Sequence, residues 1–207
     1  MDSPEIQYLC QKDKRLAKAI SMVGELNYIP HEDGYSFLVH EIIEQMLSIK
    51  AGQKIYKRLE AICNGHISSE NISKLTLEEI RQTGTSTAKA NYIQCMTASV
   101  ISGDINFEQL KFLSDEEVRK KLTSIKGIGD WTAKMYLIFV LNRQDILPFE
   151  DNAFLQSYRW LYKTENCTPA SVKKKCAKWK PYSSIAARYL YHILDMGLTK
   201  EEFHLFK

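Results

Sequence analysis

The chain of 207 residues is short of the residues that punctuate a backbone: nine glycines, five prolines and no low-complexity stretch that reads as a linker. Its five cysteines, Cys10, Cys63, Cys95, Cys167 and Cys176, are odd in number, scattered, and form no Cys-x-x-Cys pair. Neither a zinc site nor a disulfide framework is indicated, and a reducing, intracellular compartment is expected. The longest nearly apolar run, Met135 to Leu141, is far too short to cross a bilayer. Residues 1–20 carry Asp2, Glu5, Lys12, Asp13, Lys14, Arg15 and Lys18, and nothing there resembles a signal peptide. No membrane partner is expected. Charge of one sign is also scarce: 28 basic against 25 acidic residues leave +3, which permits nucleic-acid binding without requiring it. The histidines His31, His40, His66, His192 and His204 show no metal-ligand spacing. The alternation of a half-buried strand is nearly absent.

What is present is helical spacing, almost everywhere. Hydrophobic residues make up 44% and charged residues 26%, ordinary for a globular chain able to build one core or two small lobes sharing a cleft. Phe37, Ile42, Ile43, Met46, Leu47 and Ile49 predict a helix over 36–49, capped by Asp33, and Ile55, Leu59 and Ile62 a second over 53–63. Thr76–Glu79 and Ser114–Glu117 read as capping boxes that open two further helices, with 86–101 helical between them. A helix over 131–142 is apolar on most sides and therefore buried, with Pro148 ending it. Helices over 152–162, 169–178 and 183–196 close the chain. The expectation is an all-α fold of about ten short helices.

Gly127 and Gly129 interrupt this pattern in Ile125-Lys-Gly-Ile-Gly129, between two helices. Two glycines one residue apart let the backbone turn sharply and approach another chain without a Cβ in the way. The N–H groups of the helix that follows suit a phosphate, and Lys126 and Lys134 add charge nearby. An ordinary tight connection would use the same glycines. The longer pattern, Leu122-x-x-Ile125-x-Gly-Ile-Gly-x-x-Thr132-Ala133, is more specific, because its apolar positions would clamp two helices into a fixed hairpin.

Asp151 follows Pro148 by three residues and starts a helix, where aspartate is a favoured N-cap with no other duty. A carboxylate fixed at a helix start can also do chemistry: ionised, it stabilises positive charge that develops beside it and orients an attacking water. Glu150, the neighbour, is expected to point about 100° away around the helix. Lys173, Lys174, Lys175, Lys178 and Lys180 read as a solvated helix face.

The stretch from Leu122 to Asp151 resembles the signature of the HhH-GPD superfamily: a hairpin, a Gly-Pro-rich loop and an aspartate. Gly127-Ile-Gly-Asp-Trp-Thr-Ala133 and Leu147-Pro-Phe-Glu-Asp151 are most similar to its 3-methyladenine DNA glycosylase II branch. Phe37–Ala51 with its Gln-x-(Leu)-Ser turn, Ile80–Ala90, and Trp179-Lys-Pro-Tyr-Ser-Ser-Ile-Ala186 extend the resemblance over roughly residues 33–196. It implies a helix-hairpin-helix glycosylase fold over 1–207. Two helical lobes would flank a cleft: a six-helix lobe over 33–145, which contains the hairpin at 122–133, and a second lobe from 1–32 with 146–207.

By that resemblance Asp151 takes the catalytic position, and Gly127 and Gly129 hold a DNA phosphate. Main-chain carbonyls of Thr123, Ile125 and Gly127 would offer a place to a Na+ or K+ ion. Met46 falls where the family's wedge enters the duplex, although a core methionine is an equal reading. Trp131 and Tyr191 fall at positions lining the base pocket, where aromatic faces attract a flipped, cationic purine; packing is the alternative for each. Relatives that also cut the strand hold a lysine where this chain has Trp131, so a reaction stopping at an abasic site is implied. The four-cysteine iron–sulfur motif of some relatives is missing, and neither an N-terminal sheet domain nor a required cofactor is expected. The implied function is excision of alkylated purines (3-methyladenine, 7-methylguanine, with hypoxanthine or ethenoadenine as further candidates) from double-stranded DNA, by a monomer in the cytoplasm or nucleoid of a bacterium or the nucleus of a eukaryote. An oxidised-purine glycosylase with strand cleavage, and a hairpin module that only binds DNA, are the alternatives.

Overall fold

The computed structural model describes residues 3–205, which form helices and turns with no strand among them. Pro30–Leu141 makes one compact unit; the described residues through Ile29 and from Asn142 onward make the other. Thirteen α-helices and two 3-10 turns lie among the described residues, more than the spacing predicted.

Two of the additional helices are α1 (Pro4–Lys12) and α2 (Lys14–Val23). Asp13 separates them, and its Oδ1 accepts the N–H groups of Arg15 and Leu16 at the start of α2. Leu9, Leu16, Ala19 and Ile20 are fully buried. The charges interleaved at 12–15 and 18 hide this stripe from a reading of composition.

In the Pro30–Leu141 unit, α3 (Gly34–Glu44) starts at Asp33 as predicted, the carboxylate accepting from Tyr35 N and Ser36 N. It stops five residues before the predicted end. Gln45 leaves helical geometry, Met46 adopts φ +59°, and Ser48 caps α4 (Ile49–Ile62), which therefore begins four residues earlier than expected. Single-turn helices α5 (Ser69–Ile72) and α8 (Phe107–Leu110) flank α6 (Leu77–Gln82) and α7 (Thr87–Ile101). Both capping boxes are formed, at α6 and at α9 (Asp115–Thr123). α10 (Asp130–Phe139) is buried from Thr132 through Ile138. It ends at Phe139, whose carbonyl accepts the His31 N–H at 2.9 Å, and not at Pro148. Leu38, Ile42, Leu59, Ile93, Met96, Leu122 and Leu137 fill this unit's core.

The other unit is completed by α11 (Asn152–Tyr162), α12 (Pro169–Cys176) with its 3-10 extension Ala177–Trp179, and α13 (Ser183–Asp195). Its core gathers Leu16, Ile20, Phe154, Tyr158, Leu161, Trp179 and Leu190. Asp13, 2% exposed, is the polar node of that core. Oδ2 accepts Trp179 Nε1–H at 2.9 Å, the Tyr162 hydroxyl and Lys178 Nζ at 3.0 Å. The Trp179-Lys-Pro motif thus packs by delivering an indole N–H to a buried carboxylate that would otherwise be costly.

Candidate functional site

In the hairpin, Leu122, Ile125 and Ile128 are buried and hold α9 against α10. Gly127 sits at φ +96°, and a Cβ there would come within 2.4–2.6 Å of the Tyr92 side chain on α7. Glycine is required twice over, for the backbone angle and for the contact. Gly129 is exposed and has nothing within 4 Å of a built Cβ, so its requirement is different. As the N-cap of α10 it brings no side-chain oxygen to that helix's first turn, unlike Ser86, Ser114 and Asp151, which each cap their own helices α7, α9 and α11.

Asp130, next in sequence, is fixed from two sides. Arg119 Nε and Nη2 donate to its Oδ1 at 2.8 and 2.6 Å, and Lys134 Nζ lies 3.0 Å from Oδ2. Burial alone would raise this carboxyl, but Lys134 and Arg119 outweigh that and hold it below its usual value. Lys126 is exposed. Lys134 is placed differently: only 7% exposed, it faces Asp130 from within α10, so its charge is committed inside the fold. Helical periodicity from Asp130 to Lys134 carries that pairing (i, i+4), which outranks the nearness in sequence on which the phosphate reading relied.

Met46 is fully exposed, so the core reading of this residue is set aside. It stands at the tip of the turn between α3 and α4, flanked by exposed Leu47 and Ile49. The turn is held from two directions. Lys89 Nζ donates to the carbonyls of Ile43 and Gln45, and Gln45 Nε2 donates to the Gly127 carbonyl at 2.9 Å. The structure therefore ties the Met46 turn directly to the hairpin, a link between residues 82 apart that no local motif announces. Among the three carbonyls assigned to a cation, Ile125 O accepts Ile128 N–H and Gly127 O accepts Gln45. Each carbonyl keeps a second lone pair.

Asp151 is 8% exposed and caps α11, Oδ1 accepting Phe154 N–H at 2.7 Å. Its own N–H donates to Pro148 O at 3.0 Å, closing the turn that delivers it. Glu150 lies in that turn, before the cap, so the 100° helical offset expected for it does not apply. Phe149 lies under Lys173 Nζ at 3.9 Å, so one lysine of the basic α12 face is spent on an aromatic ring. α11 packs on α13, with Ser157 Oγ donating to Leu190 O at 2.8 Å. The next residue is Tyr191, half-buried, as Trp131 is at the start of α10. Among the described residues no cluster of three or more His, Cys, Asp or Glu side chains suits a metal, and no helix is long and apolar enough to span a membrane.

A family model described as HhH-GPD superfamily base excision DNA repair protein matches residues 39–181. The chain is 33% identical to DNA-3-methyladenine glycosylase 1 of Schizosaccharomyces pombe over 193 residues, 89% of this chain and 84% of that protein. Among solved structures it is similar to DNA-3-methyladenine glycosidase from Bacillus halodurans, with a TM-score of 0.86 and 33% identity across 99% of this chain and 94% of that one. It is also similar to the 3-methyladenine DNA glycosylase of Schizosaccharomyces pombe in complex with abasic DNA. There the TM-score is 0.85 at 30% identity, across 93% and 97% of the two chains.

Proposed function

The chain belongs to the HhH-GPD superfamily of base excision DNA repair proteins, and on that footing we propose that it excises alkylated purines from double-stranded DNA by hydrolysis, leaving an abasic site. The observation that carries the reading is the Asp151 carboxylate, nearly buried and held in one orientation by its own helix. As the N-glycosidic bond breaks, positive charge grows on the deoxyribose, and a fixed carboxylate stabilises that charge more than it stabilises the ground state. The same group orients a water for attack at the anomeric carbon and accepts its proton. A purine alkylated at N3 or N7 carries positive charge and departs as a neutral base, so the protein need supply little acid catalysis.

Trp131 and Tyr191 are assigned to the base pocket, where electron-rich faces favour a cationic ring over an ordinary purine. With Trp131 in place of an amine, no Schiff base forms and the strand stays intact. Gly127, Gly129 and exposed Lys126 are assigned to a backbone phosphate, and Met46 to the gap left by the extruded nucleotide. A monovalent ion at the Thr123, Ile125 and Gly127 carbonyls would orient the hairpin toward phosphate; no other cofactor enters the proposal. The protein acts as a monomer in this reading.

The test is release of bases from duplexes carrying 3-methyladenine, 7-methylguanine, hypoxanthine, ethenoadenine or 8-oxoguanine. The first two should be released with abasic sites left in an unbroken strand. Release of none of them, or preferential release of 8-oxoguanine with strand cleavage, overturns the proposal.

A further inference from the structure

Met46 combines two properties that rarely coexist without support. It is a fully exposed apolar side chain, and it sits on a non-glycine residue at positive φ. Such a backbone geometry persists only where its surroundings over-determine it. Here the surroundings are specific: Lys89 holds the carbonyls of Ile43 and Gln45, and the Gln45 amide reaches across to Gly127 O. Lys89 belongs to the same helix, α7, whose Tyr92 ring presses against Gly127. One helix therefore buttresses both the turn and the hairpin, and Gln45 joins the two directly.

We propose that Gln45 is a positioning residue that couples the Met46 turn to the phosphate-holding hairpin, so that gripping the backbone and filling the stack proceed as one step. This rests on the roles given above to Met46 and to Gly127. A turn free to move by itself would have to be ordered after the phosphate is bound, at a cost in entropy. A turn already tied to the hairpin arrives in register, and part of the cost of extruding a paired base is met by geometry fixed in advance.

Gln45→Leu tests this, since leucine approximates the size of glutamine and removes both the donor and the acceptor. The Asp151→Asn background reports extrusion without chemistry, through the fluorescence of 2-aminopurine beside 7-methylguanine in a duplex. Adding Gln45→Leu should slow the fluorescence rise by about fivefold to tenfold, the scale of one hydrogen bond. With Asp151 intact, excision from the duplex should fall by a similar factor, while excision of the same base from single strands falls by less than about twofold. Met46→Gly should slow excision from the duplex, and combining it with Gln45→Leu should slow it no further, because both changes interrupt one coupled step. An unchanged fluorescence rise, equal losses on duplex and single strand, or additive losses would overturn the inference. A parent protein that releases no alkylated base would instead overturn the proposed function, with the fluorescence arm still reporting the coupling.

Discussion

Asp151 Oδ1 accepts the Phe154 N–H at 2.7 Å, so the carboxylate assigned to the chemistry is at the same time the N-cap of α11. The two duties separate by substitution. Asparagine caps as well as aspartate but carries no charge. Asp151→Asn should therefore melt close to the parent and lose excision by at least about 100-fold, the scale of a removed electrostatic partner. Asp151→Ala should lose the activity and, in addition, about 1 kcal/mol of stability. DNA binding should survive in the asparagine variant. Excision by Asp151→Asn at the parent's rate would show that the residue only caps.

Gly127 is constrained by φ +96° and by the Tyr92 side chain. Gly127→Ala should cost about 1–2 kcal/mol from the backbone angle alone, and more while Tyr92 stays where it is. Combining it with Tyr92→Ala should restore part of the lost affinity for DNA, because the clash is removed and the angle is not. Thermal melts and DNA titrations of the single and double variants check this; a double variant that binds no better than Gly127→Ala would refute the contact as the cause.

Asp13 sets the acid limit of the unit that carries Asp151. Burial alone would raise its carboxyl, but the hydrogen bonds from Tyr162, Trp179 and Lys178, with the Lys178 charge, outweigh that and hold it below the usual carboxylate range. A carboxyl whose folded value lies below its unfolded value, about 3.9, contributes stability above that value and loses it as pH falls through the folded one. Asp13→Asn should cost about 2 kcal/mol at neutral pH, since the buried Tyr162 hydroxyl and Trp179 N–H lose a charged acceptor while Lys178, 36% exposed, keeps access to water. Below about pH 4 the melting temperature of the parent should fall more steeply than that of the variant. Parallel curves would refute the assignment.

How much of this was legible in the sequence depends on the range of the interaction concerned. Asp33, Thr76, Ser114 and Asp151 each bond backbone N–H groups two or three residues away, and each was readable from its own neighbourhood. The glycine hairpin and the helix at 152–162 were readable for the same reason. The break in the helix at Met46 was not, because it is held by Lys89 and Gly127, 43 and 81 residues distant. The end of α10 escaped likewise, set by the N–H of His31 rather than by Pro148. α1 and α2 were missed because their apolar stripe is narrow and interrupted by charge. Gln45 had a signal in its Gln-x-(Leu)-Ser turn, but its partner is 82 residues away.

The two lysines assigned to the hairpin should now part company. Lys126 is exposed, whereas the Lys134 side chain is 9% exposed and 3.0 Å from Asp130. A lysine that neutralises a phosphate releases counterions, so its removal lowers affinity and reduces the slope of log affinity against log salt by about one. Lys126→Ala should do both without changing the melting temperature. Lys134→Met should leave that slope intact, because its charge does not face the backbone, and should lower stability through the loss of a partner for Asp130. Arg119 still bonds Asp130 at 2.6 Å, so that loss should stay near 1 kcal/mol and the hairpin should survive for the DNA titration to be read. A reduced salt slope for Lys134→Met would return that lysine to the phosphate and place the rotation of its side chain toward DNA among the binding steps.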